Sequence, residues 1–214
     1  MEIKRENVVP LYETKFINLY DLQYGEGKHY FDATRHKLED ITAIKNADEH
    51  RSMLPDAVSC AVVLDTPEGE YLLLTYEYRY PLGQYLLSVP AGLIDEADKD
   101  IGSREQILIT AAKREIREET GIEVKDSDIA EVLNPCLFSS PGMTDESNAL
   151  MYVRISIDDL SVLDQSGAVG SELFDGFELV DRKAAEKILK DGCDKNGIYF
   201  SVYTYMALKH FVTM

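Results

Sequence analysis

Apolar and polar positions alternate differently along the two parts of the chain. Between residues 15 and 37 apolar side chains flank Gly25-Glu26-Gly27: Phe16, Leu19, Leu22 and Tyr24 come before it, and Tyr30, Phe31 and Ala33 after. Such alternation around a glycine turn predicts a β-hairpin. Residues 36–55 are polar and read as a connector. From Ala57 the pattern changes. Residues 58–64 form an apolar run, Thr66-Pro67-Glu68-Gly69 a turn and 71–78 a second strand, and short strands fit 86–89 and 93–94. Residues 103–120 form the strongest helical pattern: Ser103 and Gln106 make a capping box, Ile109, Ala112 and Ile116 recur on one face, and Gly121 follows as a cap. Strands fit 129–137, 149–155 and 176–180, with helices at 181–190 and from about 198 to 212. On the last helix Tyr199, Tyr203 and Met206 read as a core or dimer stripe.

These elements predict an α/β (α+β) fold, a mixed sheet with helices packed on it. The boundary falls near residue 50, giving a β-hairpin subdomain at 1–50 and a main domain at 51–214. The chain has 214 residues, 45% of them hydrophobic and 29% charged, which suits a protein with a substantial core. Its formal charge of −17 disfavours nucleic acid as a partner. Cys60, Cys136 and Cys193 have no paired spacing, so neither a disulfide framework nor a zinc site is expected. No apolar run reaches the roughly 18 residues needed to span a membrane, and the N-terminal residues lack a secretory apolar region. A cytoplasmic protein is expected.

The candidate chemistry lies in Arg114, Glu115, Glu118 and Glu119. Helical spacing puts Glu115 one turn from Glu118 and Glu119, near a helix C-terminus where negative charge is already unfavourable. An isolated cluster of this kind usually forms a solvated acidic face. Hard oxygen donors without histidine or cysteine nevertheless suit Mg²⁺, or Mn²⁺, together with phosphate oxygens. Arg114 is spaced to pair with Glu118, and the Pro90-Ala91-Gly92 turn supplies a backbone carbonyl and a close approach.

The run R-E-I-R-E-E-T-G-I at 114–122 resembles the helical half of the Nudix box, G-x5-E-x7-R-E-U-x-E-E-x-G-U with U apolar. P-A-G-L-I-D at 90–95 is similar to the start of that box in ADP-ribose pyrophosphatase-like members. The resemblance covers roughly residues 57–181. It departs from the pattern in two ways. About eight extra residues separate Gly92 from Arg114, in an insert around 96–102, and the first box glutamate, counted back from the arginine, falls on Gln106.

The resemblance implies a Nudix α/β/α sandwich with an N-terminal β subdomain that builds a homodimer and contributes to the substrate pocket. It implies a metal held by Glu115, Glu118, Glu119 and the Ala91 carbonyl, with Arg114 orienting the acids. The general base is expected to be Glu172, with Glu146 and Glu119 as rivals. Arg79 is expected to meet substrate phosphates. The S-P-G-M-T-D-E loop, with Ser140 and Gly142, is expected to contact substrate. The implied reaction is hydrolysis of the pyrophosphate bond in a nucleoside diphosphate linked to another moiety, with ADP-ribose giving AMP and ribose 5-phosphate as the leading case. A different nucleotide-sugar or an oxidised nucleoside triphosphate is an alternative substrate, and a non-catalytic nucleotide sensor an alternative role.

Overall fold

Residues 18–34 form the expected hairpin, and a third strand joins it. The computed structural model describes residues 2–100, 102–168 and 170–214. Strand β2 (Asn18–Gly25) passes through Gly27, whose φ of 64° favours glycine, into the antiparallel β3 (Lys28–Thr34). Strand β1 (Val8–Glu13) pairs antiparallel with β2. Alternation does not reveal β1, because only Val8 of it is buried, and Pro10 is tolerated because β1 lies at the sheet edge. The expected connector contains a short helix, α1 (Ala47–Ser52), whose N-terminus is capped by the Asn46 side chain.

The chain divides into two compact units, 2–56 with 136–148, and 57–135 with 149–214. In the first, Val8, Tyr20, Leu22 and Ile41 form the core. The 140–146 loop is tied to the sheet of this unit. Tyr30 Oη donates to Gly142 O at 2.7 Å, and Ala33 N to Met143 O at 3.0 Å.

The second unit is built on β4 (Ala57–Thr66) and β5 (Gly69–Arg79), an antiparallel pair joined at Thr66 and Gly69. Beyond Val62 and Leu73 the two strands part. β6 (Gln84–Ser88) pairs with the end of β5, and β7 (Ala91–Leu93) with the start of β4. Further strands are β8 (Ile129–Phe138), β9 (Ser147–Ser156) and β10 (Phe174–Val180), and the sheet order is β10-β5-β4-β9-β8. Asp56 N donates to Ser147 O and Ile157 N to Asp65 O, so β4 and β9 advance in the same direction and the sheet is mixed.

β4 is buried on both faces, as a central strand must be. Ala61 and Val63 pack with Leu72, Leu74 and the side chains of α3 (Arg182–Asp191) and α4 (Val202–Thr213), including Ala185, Leu208 and Phe211. The intervening Val58, Cys60 and Val62 point the other way. There α2 (Arg104–Thr120) crosses β4 and β7. Helices therefore cover both faces, and the α/β/α class expected from the sequence is the one observed.

The last helix departs from expectation. It begins at Val202 because Asp194 accepts the N–H groups of Asn196 and Ile198 and holds a turn there, and Ser201 caps the helix. Tyr199 is exposed and outside the helix and Met206 is half-buried, while Tyr203, half-buried, does pack against the core. The core stripe is instead Thr204, Ala207, Leu208 and Phe211.

Candidate active site

Helix α2 carries the acidic cluster. Its start is closed reciprocally, with Gln106 N donating to Ser103 Oγ at 3.4 Å and Ser103 N to Gln106 Oε1 at 2.8 Å. Its end is closed by Gly121, at φ 73°, whose N–H reaches Arg117 O at 2.9 Å. A later segment also seals this end. Asp164 N donates to Thr120 O at 3.0 Å, and Gly167 lies so near Glu118 that an added Cβ would stand 2.4 Å from the Glu118 carbonyl oxygen. The buried stripe of α2 holds Ile107, Leu108, Ala111, Ala112 and Ile116, and with them Glu115 at 5% and Glu119 at 1% exposure.

The two buried acids abut the turn at β7. A Cβ built on Gly92 would lie 2.1 Å from the Glu115 carboxyl, so only glycine leaves room for that side chain. Ala91 N donates to Glu119 Oε2 at 3.3 Å. Arg114 links Glu115 to Glu118: its Nη1 donates to Glu115 Oε1 at 2.7 Å and to Glu118 Oε2 at 3.1 Å. The other edge of the guanidinium meets Asp98 and the Leu93 carbonyl.

Burial dominates the electrostatics. It pushes the Glu115 carboxyl up to about 7 against the pull of Arg114, with Glu118 and Glu172 adding to the rise. Glu119 lies well above the ordinary carboxylate range, through burial first and then the charges of Glu77, Glu115 and Glu172, opposed by the Ala91 N–H. Burial and then these same two helix acids, Glu119 and Glu115, raise the Cys60 thiol well above its usual value, so Cys60 stays neutral.

The donor set fits a divalent cation. It consists of carboxylate oxygens, the hard donors that Mg²⁺ and Mn²⁺ prefer. Glu119 is almost wholly buried, and no cationic side chain among the described residues is seen to compensate it. The acids do not form a closed cage: among the described residues no three acidic, histidine or cysteine side chains are already grouped for a metal. Arg114 occupies one oxygen each of Glu115 and Glu118.

A NUDIX domain matches residues 53–192, more than half of the chain. The chain belongs to the Nudix family. It is 31% identical over 105 residues to Nudix hydrolase 14, chloroplastic, of Arabidopsis thaliana, covering 46% of this chain and 32% of that protein. It is 29% identical over 159 residues to the ADP-sugar pyrophosphatase of Mus musculus, covering 72% and 67%. With the ADP-ribose pyrophosphatase of Saccharomyces cerevisiae it shares 32% identity over 104 residues, covering 48% and 40%. The chain thus spans about a third of the first of these relatives and less than half of the last.

In this Nudix chain the remaining sequence candidates lie as follows. Glu172 precedes β10, and its charge acts on Glu77, Glu115 and Glu119. Arg79 ends β5, with Nη2 standing 2.5 Å from Glu77 Oε2 but off the line of a hydrogen bond. Ser140, Gly142 and Glu146 belong to the other compact unit. There Ser140 O accepts the N–H groups of Met143 and Thr144, and Glu146 accepts from Arg35 Nε at 2.7 Å.

Two acids escaped the sequence reading. Glu77 is 8% exposed on β5 and is raised to about 6 by burial, with Arg79 opposing and Glu172 adding. Its signal was an acid among the largely apolar residues 71–78 of β5. The second is Asp98. Gln106, expected at the first acid of the Nudix box, is exposed and spends its side chain on the helix cap. The acid that meets Arg114 is Asp98, six residues after Gly92. Counting forward from the glycine finds it, whereas counting back from the arginine runs through the extra residues.

Proposed function

We propose that this chain is a divalent-metal-dependent hydrolase that cleaves the pyrophosphate bond of a nucleoside diphosphate derivative, with ADP-ribose giving AMP and ribose 5-phosphate as the leading reaction. The observation that carries this reading is that Glu115 and Glu118 share Arg114 Nη1 while Glu115 and Glu119 abut the 91–92 turn. The names of the mouse and yeast relatives support the substrate class. Glu115, Glu118, Glu119 and the Ala91 carbonyl would hold the cation, with Mg²⁺ first and Mn²⁺ as a substitute.

The bound cation supplies charge neutralisation and Lewis acidity toward the diphosphate. Arg114 orients Glu115 and Glu118, and Arg79 meets a substrate phosphate. Ser140 and Gly142 line the path of the substrate. One carboxylate takes a proton from the attacking water as its oxygen bonds to phosphorus and the bridging P–O bond breaks. Glu172 is the first candidate for that base, with Glu119 and Glu146 as rivals. The 1–50 segment forms a homodimer, as the exposed Leu11, Tyr12, Phe16, Ile17 and Phe31 suggest.

The test is a Mg²⁺-supplemented panel of ADP-ribose, other nucleotide-sugars and nucleoside triphosphates, with products separated by chromatography. Glu118→Gln is expected to lower kcat by about two orders of magnitude or more with the fold intact. Unchanged turnover in that variant would remove the metal role. Nucleotide binding without turnover anywhere in the panel would favour a sensor.

A further inference from the structure

Strand β10 carries a bulge at the end that leads back to Glu172. Phe174 pairs with Glu77 and Phe177 with Thr75, so Asp175 and Gly176 together oppose the single residue Tyr76. A bulge of this kind disrupts the ladder and frees backbone groups. At Gly176, whose φ of 87° favours glycine, the Gln165 side chain meets both of them. Gly176 N donates to Gln165 Oε1 at 3.0 Å, and Gln165 Nε2 donates to Gly176 O at 3.3 Å. One side-chain amide, with a donor and an acceptor, thus makes a two-point clamp. Glu172 lies on the chain between the two clamped residues. The Gln165 end is anchored in turn, since the neighbouring Asp164 N donates to Thr120 O of α2 at 3.0 Å.

A second side chain acts next to Glu172 itself. Tyr80 Oη donates to Ser171 O at 3.2 Å, and Tyr78 N to Leu173 O at 2.8 Å. The carbonyls of both neighbours of Glu172 are therefore tied to residues at the end of β5. Tyr80 is braced by Tyr78, edge to face with ring centroids 5.1 Å apart. We infer that Gln165 and Tyr80 are positioning residues for Glu172, fixing the chain that carries it before substrate binds. The inference rests on the reading of Glu172 as the base. Both side chains bond to backbone, so they set the course of the chain and through it the place of the carboxylate. A reacting group misplaced by about 1 Å loses about 100-fold in rate. A stretch ordered in advance also need not be ordered when substrate binds.

The test combines steady-state kinetics on the best substrate of the panel above with amide hydrogen exchange and melting temperature, all on the full chain. Tyr80→Phe removes one hydroxyl, and Gln165→Met replaces the amide by an apolar side chain of similar length. Each is expected to lower kcat about 10-fold or more, with KM within about threefold. The Gly176 amide should exchange at least about 10-fold faster in Gln165→Met. Asp175→Asn, exposed on the same bulge, is the unaffected control. Because both residues act through Glu172, neither variant should add more than about threefold to the loss in Glu172→Gln.

Unchanged kcat in either variant, unchanged exchange at Gly176, or a full additive loss in the Glu172→Gln background overturns the inference while leaving Glu172 as the base. Unchanged kcat in Glu172→Gln itself overturns the base assignment and the inference with it, and leaves the metal reading intact. Should Gln165→Met melt more than about 10 °C lower, Tyr80→Phe decides. A loss in Tyr80→Phe that disappears in the Glu172→Gln background then supports the inference, and a loss that adds in full overturns it.

Discussion

At position 92 a single methyl group would collide with the Glu115 carboxyl at 2.1 Å, although the backbone there is not one that glycine alone adopts. The glycine is needed for space. Gly92→Ala is expected to displace Glu115, lower kcat about 100-fold and lower Tm by about 5 °C, since overpacking costs about 1–3 kcal/mol. Activity within threefold of the unaltered chain would show that Glu115 can move at no cost. At this scale the helical acids were legible, because 3.6-residue periodicity alone brings Glu115, Glu118 and Glu119 together. Asp98 and Glu77 were not. Asp98 meets Arg114 across 16 residues of chain, and Glu77 meets its neighbours only once β5 has found its place in the sheet.

Among the elements, α2 was legible down to both caps, because each cap depends on residues within four positions. β1 was not, since an edge strand with one buried residue carries no alternation, and the start of α4 was displaced by a turn that the Asp194 side chain builds. β3 carries a pH dependence of its own. Asp32 on β3 is 6% exposed, and burial first, then the Asp145 charge, raise it to about 6. Nearby His36 is raised by the Asp56 carboxylate, 3.0 Å from its Nε2. Both groups hold their protons more tightly when folded. The Asp32 contribution is complete below about pH 4 and is lost as pH rises through about 6, and that of His36 is lost as pH rises above about 6.5. Melting temperature should therefore fall between about pH 5 and pH 8. Asp32→Asn, a neutral mimic, should melt higher than the unaltered chain at about pH 8 and lose that advantage near pH 4, a gap of up to about 3 kcal/mol. A pH-independent difference between the two would exclude Asp32 as the source.

For the molecule as a whole, the exposed apolar side chains on the three-stranded sheet and in its β1–β2 turn set the assembly prediction. Leu11, Tyr12, Phe16, Ile17 and Phe31 are each at least half exposed, with Phe16 at 72%. Sedimentation should give twice the 24.2 kDa chain mass, and Phe16→Asp should shift the population toward single chains. A single-chain mass at micromolar concentration for the unaltered protein would end that proposal. The α/β/α layering was legible because residues 57–64 of β4 are apolar except for Ser59, the mark of a strand covered on both sides. The assignment of 136–148 to the first unit was not, because it depends on bonds such as Tyr30 to Gly142 that join residues over a hundred positions apart. The segment that seals the end of α2 also limits the reach of the candidate base. Gly167 is moored against the Glu118 carbonyl, and only five residues of tether run from there to Glu172. At full stretch that tether spans at most about 18 Å. By chain length alone, Glu172 lies within a short radius of the end of the helix whose acids it would serve.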